Sequence, residues 1–280
     1  MIGKLLESAS VKKLFGRFEI YSYLLAARDL RWKRKKGRTP LYVDYPPNPN
    51  CRWGYGAPPH PELFKLISNN QQSYLSLFES FSGYSEFLER IPCTQPNEPA
   101  QPFWLNGWFQ GLDPLALYCI LSQGNPEKYI EIGSGNSTKF ARRAIIDHSL
   151  QTTITSIDPN PRAEIDGICD RVIRQRLEDI GDLELAALMT LSEGDILVVD
   201  NSHRCFMNSD VTVVFLEILP RLSHGVLVYI DDIYLPFDYP PSWSDRWYSE
   251  QYLLATLILS GNHRYEILFP ATFFSRQENA

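Results

Sequence analysis

Five acidic side chains stand within or just after short apolar runs at four places in this 280-residue chain, and carboxylates so placed can hold ligands or move protons. Glu131 lies in Tyr129–Ile132, just before Gly133-Ser134-Gly135. Asp158 closes Thr153-Ile-Thr-Ser-Ile157, Asp200 closes Asp195-Ile-Leu-Val-Val199, and Asp231 and Asp232 close Val226-Leu-Val-Tyr-Ile230. His203 stands three residues past Asp200 and, with Asp232, is a candidate general base. An acid after a buried strand costs little if solvated, but several of them on one rim point to a shared site.

These residues need strands to carry them. The short apolar runs bounded by turn residues read as buried strands, and Thr138-Lys-Phe-Ala-Arg-Arg-Ala-Ile-Ile146 has helical spacing. The first unit is therefore strand, glycine turn, helix, a geometry that lets backbone approach a ligand and aims free N–H groups at it. A dinucleotide fingerprint requires a third glycine at 138, where Thr138 stands, which weakens a nicotinamide-dependent oxidoreductase as the alternative. Asp158 falls 25 residues after Gly133, the kind of place from which an acid holds ribose hydroxyls.

Four segments, Glu131-Ile-Gly-Ser-Gly-Asn-Ser-Thr138, Ser156-Ile-Asp-Pro159, Gly194-Asp-Ile-Leu-Val-Val-Asp200 and Gly225-Val-Leu-Val-Tyr-Ile-Asp-Asp232, together resemble the ordered motifs of class I S-adenosylmethionine-dependent methyltransferases. The resemblance covers about residues 105 to 275 and departs at Ser137, where the commonest motif has a third glycine. It implies an α/β, Rossmann-like fold: a mostly parallel seven-stranded sheet with helices on both faces and an antiparallel last strand. It places Glu131, Gly133, Ser134, Gly135, Asn136 and Ser137 around the methionine part of S-adenosylmethionine, Asp158 on its ribose, Asp200 nearby and Leu177-Glu178-Asp179 beside the adenine. Asp200, Asp231 and Asp232 also resemble the divalent-metal ligands of catechol-type O-methyltransferases, with Asp232 in place of Asn; magnesium would suit this oxygen-rich set. The implied activity is methyl transfer to a small-molecule acceptor, at oxygen, with His203 and Asp232 as catalytic residues.

Charge and composition set the surroundings. Residues 1–38 hold 11 Lys or Arg against 3 acids, or +8, which leaves 16 against 30, or −14, for residues 39–280. The acidic body disfavours nucleic acid as substrate. Residues 1–30 have mostly helical apolar spacing and run into a basic stretch, Arg28 to Arg38. This segment suits a helix that covers the catalytic domain or a homodimer partner, with contact to an anionic membrane surface as the alternative and a non-catalytic scaffold as its extreme. The expected division is an N-terminal helical and proline-rich extension over 1–103 and the catalytic domain over 104–280. Five scattered cysteines without a Cys-x-x-Cys pair, no long apolar span and no signal-peptide pattern predict free thiols and a cytoplasmic protein.

Pro40 to Pro61 is too proline-rich for a long helix or strand and reads as an ordered, aromatic-bearing lid. Helices are predicted from Pro61 to Arg90, from Asp113 as N-cap with Pro114 at the first position, and at 161–166, 182–191, 209–222 and up to Ser260 before Gly261. Asn106 and Trp108 stand where the entrance to the site could lie. The last two strands are expected at Arg264–Phe269 and Thr272–Ser275.

Overall fold

The structure, a computed structural model, describes residues 26–28, 31, 44–45, 47–161, 163–261 and 264–277. The chain divides into two compact units, Met1–Asn48 and Pro49–Ala280. In the first, residues 26–28 and 31 are helical; the rest of the expected amphipathic helix and most of the basic run lie outside the described residues, as does Arg162. No helix among the described residues is long and apolar enough to cross a membrane.

In the second unit the helices α1 (Pro61–Ser68), α2 (Gln71–Ser80) and α3 (Ser85–Leu88) precede α4 (Leu112–Gly124). Then follow β1 (Lys128–Ile132), α5 (Asn136–Asp147), β2 (Thr153–Ile157), β3 (Arg171–Ile173), α6 (Asp182–Leu188) and β4 (Ile196–Val199). The chain continues through α7 (Asp210–Val213), which runs on as a π-helical turn to Ile218, into β5 (Leu227–Ile230), α8 (Glu250–Leu259) and α9 (Ala271–Gln277). Residues 49–103 thus belong to the same compact unit as the sheet.

The five strands are all parallel, in the order β3-β2-β1-β4-β5. Alternation divides their side chains between two layers. Tyr129, Ile196 and Val198 join Tyr118, Leu121 and Phe140 of α4 and α5, whereas Ile130, Ile132, Leu197 and Val199 join Leu185 and Val214 on the other face. Strand order reverses between β1 and β4, which opens the crevice where such sheets keep ligands.

Among the described residues five strands, rather than the expected seven, make up this sheet. Residues 264–269 keep the alternation of a strand, with Tyr265, Ile267 and Phe269 half-buried and Arg264, Glu266 and Leu268 exposed, but they form no ladder. Thr272–Ser275 is helical because α9 starts directly after Pro270 and turns both Phe273 and Phe274 onto one apolar cluster with Leu63, Ile67 and Tyr74. A strand would send neighbouring phenylalanines to opposite faces. Smaller corrections concern helix ends. Gly111, not Asp113, is the N-cap of α4, residues 163–165 are not helical, and a short 3-10 turn spans Asp166–Ile168.

Candidate active site

The residues just past the strands are held in steps, each by the strand beside it. Gly133 N donates to Ile157 O at 3.0 Å, Asp158 N to Ile173 O at 3.1 Å, Asp200 N to Ile132 O at 2.8 Å and Asp231 N to Val199 O at 2.9 Å. Glu131, Gly133, Asp158, Asp200 and Asp231 are thereby fixed along one rim. Gly133 is obligatory there: its φ is +79°, and a Cβ would stand 1.7 Å from the Asp200 carbonyl oxygen. The glycine turn is pressed against the end of β4 at the point of strand-order reversal.

Behind the turn, Glu131 is wholly buried and accepts a hydrogen bond from Thr138 Oγ1, which itself accepts from Gly135 N at 3.1 Å. Thr138, at the third-glycine position of a dinucleotide fingerprint, therefore ties the loop to strand β1. Burial, with the charge of Asp200 adding to it, pushes the Glu131 carboxyl up to about 8, although the neighbouring Ser137, Thr138 and Tyr129 hydroxyls work the other way. Glu131 Oε1 and Ser137 Oγ are buried without a hydrogen-bond partner. Above Gly135 no atom lies within 4 Å of where a Cβ would be, so the first turn of α5 opens onto free space. Unpaired buried polar atoms beside open N–H groups fit an amino-acid head group bearing ammonium and carboxylate.

The remaining turn residues are placed as follows. Ser134 N donates to Asp158 Oδ2 at 2.9 Å, and Asn160 N to Asp158 Oδ1 at 2.7 Å, so Asp158 clamps the two loops and keeps a lone pair on each oxygen for a diol. The Ser134 side chain turns inward to Ser156 Oγ at 2.8 Å. Asn136 donates to Asn106 Oδ1 at 3.1 Å, and Asn106 also orders its own loop through Phe103, Trp108 and Phe109. An open groove of about 630 Å³, lined by Pro159, Asn160, Glu164, Ile165 and Arg174 among others, adjoins the Asp158 clamp.

On the other side of the switch stands His203, 4% exposed and with φ +59°. Its Nε2 lies 3.3 Å from Asp200 Oδ1 and 3.5 Å from Asp232 Oδ2, and its Nδ1 lies 2.9 Å from Glu250 Oε2. Asp232 is also left-handed, with φ +53°. Two strained non-glycine residues facing each other mark a place where side chains were kept despite a backbone cost of roughly 1–3 kcal/mol each. Burial alone would lower the His203 pKa, but the hydrogen bonds to Asp200 and Glu250 and the charges of Glu250 and Asp232 outweigh it and hold the imidazole well above its ordinary value. These contacts favour the imidazolium form and let the ring orient Asp200 and Asp232.

Sequence reasoning missed Glu250. It opens α8, is fully buried, and accepts from Asn201 Nδ2 at 3.1 Å with its second oxygen. The only sequence signal was an acid in a helix's first turn, which ordinarily marks nothing more than a favourable dipole. The Tyr248 ring lies 4.6 Å from the His203 ring, Trp243 and Tyr239 pack against it, and Tyr234 packs on Trp243.

The expected metal set does not come together. His203 Nε2 occupies the place between Asp200 and Asp232, and Asp231 accepts from the Tyr229 hydroxyl at 2.7 Å. Burial and the charges of Asp200, Asp113 and Asp232 raise the Asp231 pKa well above its ordinary value. Among the described residues, no group of three or more His, Cys, Asp or Glu side chains is arranged to hold a metal ion.

Residues 130–233 match the model of a family described as a methyltransferase domain. The match runs from within β1 to the residue after Asp232 and includes the glycine turn, the rim acids and His203, but not Asn106, Glu250 or the aromatic cluster. The match and the parallel five-stranded sheet together support a methyltransferase domain of Rossmann-like α/β fold in this part of the chain. No curated protein and no solved structure matches the chain.

Proposed function

We propose that this protein transfers a methyl group from S-adenosylmethionine to a hydroxyl of a small-molecule acceptor. The observation that carries the reading is the pairing, across the β1–β4 reversal, of a glycine turn with orphaned Glu131 and Ser137 and a rim acid, Asp232, aimed by a buried histidine. Glu131, Ser137 and the open first turn of α5 would hold the amino-acid part of the donor, and Asp158 its ribose. S-adenosylmethionine supplies an electrophilic methyl on a sulfonium, whose positive charge disappears as the methyl leaves.

The chain's own residues hold the reactants in line and receive the acceptor's proton. As the acceptor oxygen forms its bond to the methyl carbon, the carbon–sulfur bond breaks and the hydroxyl proton passes to the Asp232 carboxylate. His203, kept cationic by Glu250, fixes that carboxylate and stabilises its ionised form before the transfer. The Pro49–Pro61 segment joins the wall of this region: Asp238 N donates to Trp53 O at 3.1 Å and His60 N to Pro236 O at 2.9 Å. Five free cysteines support a reducing, cytoplasmic location.

Calorimetric titration with S-adenosylmethionine and S-adenosylhomocysteine tests the reading. Micromolar binding that is lost in Asp158→Ala is expected; no binding of either compound would sink it. Asp232→Asn should bind the donor normally and lose about 10²–10⁴ in kcat.

A further inference from the structure

Arg246 stands in the loop between β5 and α8 with its guanidinium unused. Its Cζ lies 3.8 Å above the Trp243 ring and 5.5 Å from the Tyr248 ring, and the side chain is half-buried. Its backbone is pinned: Arg246 N donates to Trp243 O at 2.9 Å, and Arg246 O accepts from Arg204 Nε at 2.8 Å. The guanidinium itself makes no hydrogen bond or ion pair among the described residues, although Asp200, Asp232 and Glu250 all lie on the same side of the fold around His203. Those carboxylates are taken up by the imidazole.

A second cation stands beside it. Arg204 Cζ is 5.0 Å from the Tyr248 ring, but two of its N–H groups, on Nε and Nη1, are tied to Arg246 O and to Ser202 O at 2.9 Å, which locks its fork to the backbone. Arg204 is thus a brace. It leaves Arg246 as the cation with an unspent planar fork, stacked on an indole that fixes its plane. The Tyr248 ring connects this fork to His203, 4.6 Å between ring centroids, and His203 touches the base Asp232.

We infer that Arg246 reads a carboxylate on the methyl acceptor, so that the acceptor is an aromatic acid carrying both the hydroxyl to be methylated and an ionised carboxyl group. A guanidinium fork matches a carboxylate in two parallel hydrogen bonds, which gives orientation as well as affinity. The ring between the two groups would lie along Trp243 and Tyr234, whose centroids are 5.2 Å apart. A monoanion fits better than a phosphate, because residues 39–280 carry 16 cations against 30 acids and repel higher negative charge. The inference rests on the acceptor site proposed above and narrows what that site takes.

The test compares 3,4-dihydroxybenzoate with catechol, by calorimetric titration of the full chain saturated with S-adenosylhomocysteine and by methyl transfer. The acid is expected to bind at least tenfold more tightly. Arg246→Gln should remove that preference through KM rather than kcat, Arg246→Lys should keep part of it, and Asp245→Asn, a neighbouring exposed acid, should leave it unchanged. Melting temperatures of all variants report whether the loop still folds. Equal affinity for the two compounds, a preference that survives Arg246→Gln, or failure of both compounds to bind would overturn the inference. Binding of S-adenosylhomocysteine, read beforehand, separates that result from failure of the methyltransferase reading itself.

Discussion

At the residue scale, the site turns on which groups carry charge before any ligand arrives. His203 is buried, and burial taken alone favours the neutral ring; only Glu250, Asp200 and Asp232 keep it protonated. Glu250→Gln should therefore lower its pKa, read as the pH-dependent ring shifts of His203 in a 13C NMR titration. A ring that stays protonated past pH 8 in that variant would show that Glu250 does not hold the charge. The two glycines differ in kind. Gly133→Ala drives a methyl into the Asp200 carbonyl and should cost more than about 3 kcal/mol in urea unfolding. Gly135→Ala meets open space at a φ of −179°, so the fold should tolerate it, while donor affinity falls at least tenfold because the methyl fills the cradle. A Gly135→Ala protein that binds the donor normally would place the ligand elsewhere.

At the element scale, two segments far apart in sequence make the wall of the acceptor side. Asp238 Oδ2 accepts from Arg52 N at 2.6 Å and Trp53 N at 2.9 Å, and the Tyr252 hydroxyl donates to its other oxygen at 3.2 Å. Asp238→Ala should cost about 1–3 kcal/mol and speed hydrogen exchange at Arg52 and Trp53 at least tenfold, with β1 and β4 unaffected; unchanged exchange there would mean that the segment is held by other contacts. The sequence showed the parts of the site that one local unit makes: apolar run, glycine turn, acid. Glu131, Gly133, Asp158 and Asp200 were legible because strand burial and turn chemistry are local. Glu250 was not, because nothing near it announces a partner 47 residues away. Asp113, expected as a cap, instead sits at the second position of α4, where burial, with the charge of Asp232 adding to it and the Tyr229 hydrogen bond working the other way, pushes its carboxyl up to about 6. The last strands failed for a different reason. Alternation at 264–269 reports which face is buried, and it held; it says nothing about whether a neighbour offers backbone partners.

At the scale of the whole molecule, the rim stores more negative charge than the fold lets ionise, and this fixes how stability varies with pH. Burial raises Glu131 to about 8 and Asp113 to about 6, and Asp231 also stands well above its ordinary value. Each is protonated in the folded chain at pH values where the unfolded chain has lost the proton. The folded state then binds more protons, so stability falls as pH rises from about 4 through each folded value, by up to about 1.4 kcal/mol per pH unit per group. His203 has the same sign: its folded pKa is raised, so its contribution is complete below about pH 6.5 and is lost as pH climbs through the raised value. Asp170 runs the other way. Burial would raise it, but the Ile154 N–H and Arg142 hold it below its ordinary value, so its contribution is lost only under acid conditions. Between pH 5.5 and 8.5 the raised groups dominate, and urea unfolding should show the ligand-free protein clearly more stable at pH 5.5. Glu131→Gln keeps the shape and the acceptor for Thr138 but cannot ionise, so it should flatten the slope up to about pH 8 and make the variant the more stable protein above it. A wild-type stability that rises across this range, or a slope unaltered in Glu131→Gln, would show that the Glu131 carboxyl is already ionised in the folded chain before any ligand binds.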